Sequence, residues 1–224
     1  MFIGHFAPAF VAVAIYSRGP RLGTYFVAAQ LVDWAFFTLA LVGVEKMRIV
    51  PGATAMNPLD LYYMPFTHSL LGTGVFALVF GIGIAVWTRS YLGGFIAAMV
   101  VCSHWALDWL VHSPDLTFAG GDRTFGLGLW NQPGIAIALE LGLILGAFAF
   151  YLKRSRGPSG QPLILLAALL VFQAINWFGP EPAEANAALY LQALGVFAIL
   201  TILAAWTAKN RFFTRRGGLA ASGL

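Results

Sequence analysis

The sequence has very little cysteine and very little charge. Its 224 residues include one cysteine, Cys102, so neither an intramolecular disulfide nor a thiolate metal cluster can form. Charged residues make up 10% of the chain, against about 25% in ordinary soluble domains, and hydrophobic residues make up 59%. With a mean hydropathy of +0.79, this composition excludes an ordinary soluble domain and predicts an integral membrane protein.

A continuous basic surface for nucleic acid is also lacking. The net charge is +4 and the pI is about 9.5, but the basic residues occur as short clusters between apolar runs. That pattern is typical of cytoplasmic loops, and no nucleic-acid partner is expected. The N-terminus has no basic segment before its apolar run, so this run is interpreted as a retained helix and not as a secretory signal.

Apolar runs of membrane-spanning length are separated by glycine, proline and charged residues. They cover residues 2–16, 22–43, 66–88, 91–112, 132–152, 162–178 and 186–208. The sequence therefore predicts an all-α, polytopic transmembrane bundle of about seven helices. This bundle would form one domain, 1–210, followed by a basic cytoplasmic tail, 211–224. Because the first and sixth runs are short, six crossings are the alternative.

The distribution of lysine and arginine predicts the topology. If the N-terminus lies outside and every run crosses, ten of the thirteen basic residues lie on the cytoplasmic side. These ten are Arg18, Arg21, Arg89, Lys153, Arg154, Arg156, Lys209, Arg211, Arg215 and Arg216. The outside loops hold Lys46, Arg48 and Arg123. Cytoplasmic loops carry the excess of basic residues, so we expect the N-terminus out and the C-terminus in.

Ionisable residues inside the apolar runs are few and fall at one level. His104, Asp108 and His112 in the segment HWALDWLVH are four residues apart, which places them on one stripe of a helix. Such residues are costly in a bilayer, so the stripe has to face polar groups. In the predicted topology the other candidates lie in the same outer half of the membrane: His5, Asp33, His68 and Glu140.

Imidazole nitrogen and carboxylate oxygen together suit zinc, manganese or iron. An ion with an open coordination position acidifies a water to hydroxide near neutral pH, which is the chemistry of a hydrolase. The predicted metal residues are His5, Asp33, His68, His104, Asp108 and His112. A single zinc takes about four ligands, so either two ions bind or some of the acids orient histidines.

Several acids have two interpretations. Asp108 is either a ligand or a residue that orients a histidine, and Glu140 is either a general base or an interhelical hydrogen-bond partner. Gln30 lies three residues before Asp33 and shares its helix face, so we expect it to orient that carboxylate. Among the acids of the loops, Asp115 is the one expected to join the site, because it follows His112 closely.

Several motifs occur in a fixed order: GHFAPA, the Gln30/Asp33 pair, PFTHSL, SHWALDWLVHSPDL and GLGLWNQP. In these motifs, over roughly residues 1–150, the chain resembles a family of bacterial inner-membrane metal-dependent hydrolases. The resemblance implies a multi-pass protein of the bacterial inner membrane, with the six histidines and aspartates above as its metal residues. More distantly, the order of His, Asp, His and HxxxD is similar to that of zinc-dependent phospholipases C.

The leading hypothesis is a metal-dependent hydrolase acting at the periplasmic face on a phospholipid or another lipid phosphoester through a metal-bound hydroxide. Zinc is the first choice of metal, manganese and iron are alternatives, and one or two ions bind. Membrane lipid is then both environment and candidate substrate. A second hypothesis is a proton- or ion-coupled transporter or permease, and a third is a non-catalytic assembly protein with a structural metal. Polar groups crowd one half of the membrane, which favours the hydrolase.

Overall fold

The computed structural model describes residues 1–213; residues 214–224, with Arg215 and Arg216 of the predicted tail, lie outside the described part. Within residues 1–213 the chain forms a bundle of seven α-helices, and the prediction of an all-α fold is confirmed. The helices are α1 (Ala7–Ile15), α2 (Leu22–Leu41), α3 (Leu70–Thr88), α4 (Tyr91–Val111), α5 (Pro133–Arg154), α6 (Gly160–Phe178) and α7 (Ala187–Lys209). A 3₁₀ turn, η1 (Ile3–Phe6), leads directly into α1.

Helices α2 to α7, six of those described, have 19 to 23 residues and are long and apolar enough to cross a bilayer. Large apolar side chains are exposed on their outer faces at helical spacing. On α3 these are Val75, Leu78, Val79, Ile82 and Val86. A continuous apolar face of this kind is unfavourable in water and favourable in hydrocarbon, as expected of a multi-pass membrane protein.

The first predicted span is the shortest and lies inside the bundle. Most of the apolar segment Ile3–Ile15 is buried against other helices. At one end His5 Nε2 lies 3.0 Å from Asp108 Oδ1, and at the other Tyr16 OH lies 2.8 Å from Ser90 Oγ. This segment therefore runs antiparallel to α4 over most of the length of α4. Because protein surrounds it, it does not have to match the roughly 30 Å of the hydrocarbon core.

The loops that carry most of the basic residues meet at the end of the bundle opposite His5. Arg89 adopts a left-handed conformation, with φ of 52°, in the tight turn between α3 and α4. The Tyr16 contact brings the loop between α1 and α2 to this turn. At the same end the start of α2 packs on the end of α7, where Gly23 lies against Ala205. Most of the described basic residues are thus separated from the histidines by the length of the helices, as the predicted topology requires.

The folded unit continues beyond the predicted boundary at residue 210. Strand β5 (Ser155–Arg156) pairs antiparallel with strand β6 (Phe212–Phe213). Arg211 is buried, and its guanidinium donates to Ser155 Oγ at 2.7 Å and to the Gly157 carbonyl at 2.6 Å. The sequence analysis assigned Arg211 to a basic tail, because an arginine that satisfies carbonyls near a helix end has the same sequence signal as a loop charge.

The two long connections form small hairpins at the histidine end of the bundle. Strands β1 (Lys46–Ile49) and β2 (Leu59–Tyr63) pair antiparallel, as do β3 (Leu116–Thr117) and β4 (Thr124–Phe125); a 3₁₀ turn, η2 (Leu129–Asn131), follows. The connections also contact each other, since Ala55 N donates to Asn131 Oδ1 at 3.3 Å. Together they cover one end of the bundle.

Two predicted helix boundaries are wrong, and both errors involve a histidine. Helix α3 begins at Leu70, after His68, because Ser69 caps it by accepting a hydrogen bond from Gly72 N at 3.0 Å. Helix α4 ends at Val111, and His112 has an extended backbone two residues before Pro114. Both histidines therefore lie at the ends of helices, where the backbone can turn their rings towards the centre of the bundle.

Candidate metal centre

The structure brings the predicted metal residues together at the end of the bundle that the hairpins cover. In each histidine, Nε2 lies within 3.7 Å of a carboxylate oxygen of Asp33 or Asp108. The residues that meet are His5, Asp33, His68, His104, Asp108 and His112. They come from η1, from α2, from the segment before α3 and from α4, so four separate parts of the chain form one cluster.

Asp108 lies at the middle of this cluster, with a side chain only 2% exposed. Its Oδ2 atom is 3.1 Å from His104 Nε2 and 3.7 Å from His68 Nε2. Its Oδ1 atom is 3.0 Å from His5 Nε2 and 3.5 Å from His112 Nε2. The spacing of four residues along α4 produces this arrangement, because each such step turns only about 40° around the helix.

Asp33 completes the side of the cluster that faces His68 and His104. Its Oδ1 atom lies 3.3 Å from His68 Nε2 and 3.5 Å from His104 Nε2. Its Oδ2 atom accepts a hydrogen bond from Gln30 Nε2 at 3.0 Å, so Gln30 orients it as the sequence predicts. The Asp33 side chain is 17% exposed, against 2% for Asp108, so Asp33 is the more accessible of the two carboxylates.

The ring of His104 is fixed with a lone pair facing the carboxylates. Its Nδ1 atom lies 2.8 Å from the Ala29 carbonyl oxygen, which can only accept, so Nδ1–H donates this hydrogen bond. The Nε2 atom of the neutral ring then carries no hydrogen. This Nε2 atom and Asp108 Oδ2 are both buried without a hydrogen-bond partner. A metal ion that binds both atoms would satisfy them, as would a proton on Nε2 donated to Asp108 Oδ2.

His68 is held by a chain of two further residues. The Thr67 hydroxyl donates to Glu45 Oε2 at 2.6 Å, and its oxygen lies 2.9 Å from His68 Nδ1. Since the hydroxyl hydrogen is already used, His68 Nδ1–H donates to Thr67. The Nε2 lone pair of His68 therefore also faces Asp33 and Asp108. Glu45 is itself buried and accepts from the backbone N–H groups of Phe66 and Thr67, at 2.9 Å each.

His112 is oriented in the same manner by a loop residue. Its Nδ1–H donates to Asp115 Oδ1 at 2.9 Å, which leaves Nε2 facing Asp108. Trp130 packs against the imidazole, with ring centroids 4.3 Å apart. An imidazole that donates one N–H to a carboxylate, a carbonyl or a hydroxyl is the usual state of a metal ligand. Three of the four histidines are in this state.

The sequence analysis missed Glu45 and Thr67. Glu45 follows α2 in a connection where most carboxylates are solvated, and no spacing links it to His68. Thr67 precedes His68 directly, but a neighbouring threonine carries no specific signal. The role of this buried carboxylate can be recognised only in the folded structure, where its loop packs against the start of α3.

Glu140 is near the cluster but bonds to different groups. Its Oε1 atom accepts from Phe2 N at 2.7 Å and Gly4 N at 3.0 Å, and its Oε2 atom accepts from Gln173 Nε2 at 3.3 Å. Among the described residues, no hydrogen bond or ion pair joins it to a histidine or aspartate of the cluster. Of its two predicted roles, the contacts are those of the interhelical partner: Glu140 fixes η1, and hence His5, to α5 and α6.

The donor atoms fit a metal ion. The four contacts that join Nε2 of His68 and His104 to Asp33 Oδ1 and Asp108 Oδ2 are 3.1 to 3.7 Å long. Ligands at zinc bond lengths of about 2.0–2.1 Å lie about 3.3 Å apart at tetrahedral angles. Two overlapping triplets, His5/His104/Asp108 and Asp33/His68/His104, have donor atoms within 4.8 Å of one another. These buried groups could therefore hold a metal ion.

No protein-family model, curated protein or solved structure matches this chain.

Proposed function

We propose that this protein is a membrane-embedded, metal-dependent hydrolase that acts at the periplasmic face on a phospholipid or another lipid phosphoester. The observation that carries the proposal is the common orientation of the histidines. His68, His104 and His112 each donate from Nδ1 to a fixed acceptor and turn Nε2 towards Asp33 or Asp108. Histidines fixed in this way around carboxylates are typical of metal sites.

The first shell of an ion would consist of Asp33, His68, His104 and Asp108. Zinc suits this mixed nitrogen and oxygen set best, with manganese and iron as alternatives. A divalent ion there would acidify a water molecule and polarise a phosphoryl oxygen. The Ala29 carbonyl and the Thr67 hydroxyl hold the two imidazoles in the orientation that binding requires. The exposed edge of Asp33 is the side from which a substrate would enter.

The surroundings of the site suit an amphiphilic substrate. The hairpins and the adjoining loop at this end expose aromatic side chains, namely Tyr62, Tyr63, Phe66, Phe118 and Phe125. Aromatic residues concentrate at the membrane–water interface, at the level of lipid headgroups. Phe66 lies only two residues before His68, which places one of these exposed aromatic side chains beside the proposed metal ligands. A phosphoester at headgroup level is therefore the favoured substrate.

The opposite half of the bundle favours hydrolysis over ion transport. Between the cluster and Arg211, the described core contains no other buried lysine, arginine, histidine, aspartate or glutamate. Its largest side chains there are aromatic or aliphatic, among them Phe10, Phe26 and Leu169. A proton or ion relay needs polar groups across the whole membrane. Among the described residues, the buried acids and histidines all lie in the half of the bundle that holds the cluster.

The test combines metal analysis with lipid hydrolysis. The full chain is purified in detergent and assayed for zinc, manganese and iron by elemental analysis. It is then reconstituted in vesicles of phosphatidylethanolamine and phosphatidylglycerol, and hydrolysis products are followed by mass spectrometry. We expect stoichiometric metal and lipid hydrolysis in the wild type, and loss of both in His104→Ala. Asp33→Asn, which removes a proposed carboxylate ligand, should also lose both, whereas its matched control Asp122→Asn, at an exposed loop aspartate, should retain both.

Two results would reject the proposal. The proposal would be wrong if the wild-type protein carried no stoichiometric metal and His104→Ala changed neither metal content nor lipid hydrolysis. Stoichiometric metal without hydrolysis of any lipid phosphoester would favour the structural-metal hypothesis.

A further inference from the structure

The carboxylate of Asp108 divides the histidines into two pairs. Its Oδ2 atom faces His68 and His104, and its Oδ1 atom faces His5 and His112. The first pair also contacts Asp33, at 3.3 and 3.5 Å, whereas the described ion pairs of His5 and His112 include none with Asp33. The donors are therefore arranged around two points, one on each oxygen of the same buried carboxylate.

A single ion cannot use this whole donor set. Six side chains converge, and a zinc ion takes about four ligands. His104 has only one free nitrogen, because its Nδ1–H is bound to the Ala29 carbonyl, so it can serve one ion. Asp115 orients His112 as a ligand, but His112 faces Asp108 Oδ1, whereas His104 faces Asp108 Oδ2.

We propose that the centre binds two divalent ions bridged by Asp108. One ion would be held by Asp33, His68, His104 and Asp108 Oδ2, and the other by His5, His112 and Asp108 Oδ1. This inference rests on the proposed metal-dependent function and specifies its cofactor. Metal pairs about 3.5–4 Å apart are common in enzymes that cleave phosphoesters, where they stabilise both the attacking and the leaving oxygen.

Charge is compatible with a second cation. Asp33, Asp108 and Asp115 are three carboxylates in or beside the cluster, and one divalent ion together with the Met1 ammonium balances them. Two divalent ions, the second taking the place of the ammonium on Asp108, also balance all three and leave one positive charge for an anionic substrate. The Met1 nitrogen lies 2.8 Å from Asp108 Oδ1 and is the competing partner of that oxygen. Binding of a single ion would mean that Met1 keeps this place.

The experiment counts ions by a method independent of activity. The purified full chain is stripped with a chelator, titrated with Mn²⁺, and examined by elemental analysis and electron paramagnetic resonance. We expect two Mn²⁺ per chain in the wild type, with the spectrum of a spin-coupled pair. His5→Ala and His112→Ala should each bind one Mn²⁺ and give the six-line spectrum of an isolated ion. Asp122→Asn should bind two, coupled as in the wild type.

A milder variant protects the test against misfolding. Asp115→Ala lies outside the helices and removes only the acceptor that orients His112, so one Mn²⁺ should bind about 10- to 100-fold more weakly and the other unchanged. One Mn²⁺ per wild-type chain, or equal stoichiometry in the wild type and His112→Ala, would overturn the two-ion inference. With lipid hydrolysis intact, that result would leave the proposed function standing; no bound metal at all would overturn both.

Discussion

Glu45 accepts two hydrogen bonds from Thr67, one from its backbone N–H at 2.9 Å and one from its hydroxyl at 2.6 Å. This pair fixes the hydroxyl oxygen as the acceptor for His68 Nδ1–H. A residue in a hairpin connection thereby sets the direction of a metal ligand that lies before a different helix. Glu45 acts on the centre only through this chain, and its role is to position His68.

The Glu45→Gln variant tests this positioning role. The amide can no longer accept from both Thr67 and the neighbouring backbone, so His68 loses its fixed orientation. We expect metal affinity to fall about 10- to 100-fold, measured by competition with a chromophoric chelator. Glu181→Gln, at an exposed glutamate between α6 and α7, should bind as the wild type does. Equal affinities in both variants would show that Glu45 is irrelevant to metal binding.

Exchanges at Glu140 separate its structural role from a catalytic one. Glu140→Ala leaves the N–H groups of Phe2 and Gly4 buried and unpaired, at about 1–3 kcal/mol each, so the Tm should fall markedly. Glu140→Gln keeps one acceptor oxygen and should lower the Tm less. If Glu140→Gln abolished lipid hydrolysis while leaving Tm and metal content unchanged, Glu140 would be a general base after all.

Helix packing gives a prediction that does not depend on the centre. A Cβ atom at Gly94 would lie 2.4 Å from the Gly81 carbonyl oxygen, so Gly94→Ala should force α3 and α4 apart. We expect a loss of about 1–3 kcal/mol in the free energy of unfolding. At Gly83 a Cβ meets nothing within 4 Å, so Gly83→Ala is the control and should cost nothing. Thermal unfolding in detergent, followed by circular dichroism, compares the two; equal Tm values would contradict the packing argument.

Arg211 should stabilise the basic end without affecting metal binding. The two terminal nitrogens of the Arg211 guanidinium donate to Ser155 and to the Gly157 carbonyl, and a lysine ammonium cannot reproduce this geometry. Arg211→Lys should therefore lower the free energy of unfolding by about 1–3 kcal/mol. Arg156→Lys, at an exposed arginine of the same loop, should leave the Tm unchanged. Both variants should bind as much metal as the wild type, as elemental analysis will show. A lower metal content in Arg211→Lys would mean that the two ends are coupled.

The sequence predicted the helices well because in a bilayer hydropathy and helix formation coincide. The stripe of His104, Asp108 and His112 could be predicted equally well, since residues four apart share one face of a helix once the helix is known. The convergence of His5 and His68 with this stripe followed from topology, which needs only the signs of loop charges. These features depend on local pattern or on the order of crossings, and not on packing detail.

Other features depend on contacts that a linear pattern does not contain. Whether Glu140 meets the metal or the backbone of η1 is decided by how deeply η1 enters the bundle. Glu45 and Arg211 are buried by segments far away in sequence, so no local pattern indicates their burial. The hydropathy pattern predicts too early a start for α3, because apolar residues around Phe66 continue the hydropathy of the helix. The helix itself begins only after the Ser69 cap.

The buried first helix also orders the assembly of the protein. Segment Ile3–Ile15 emerges from the ribosome before α5 and α6, yet the N–H groups of Phe2, Ile3 and Gly4 at its start are satisfied by Glu140 on α5 and Gln173 on α6. His5 can take its place beside Asp108 only after those later helices have entered the membrane. A partly synthesised chain consequently lacks a complete donor set. Under the proposed function, metal would therefore bind only at the end of folding, and a half-built bundle could not attack the lipid around it.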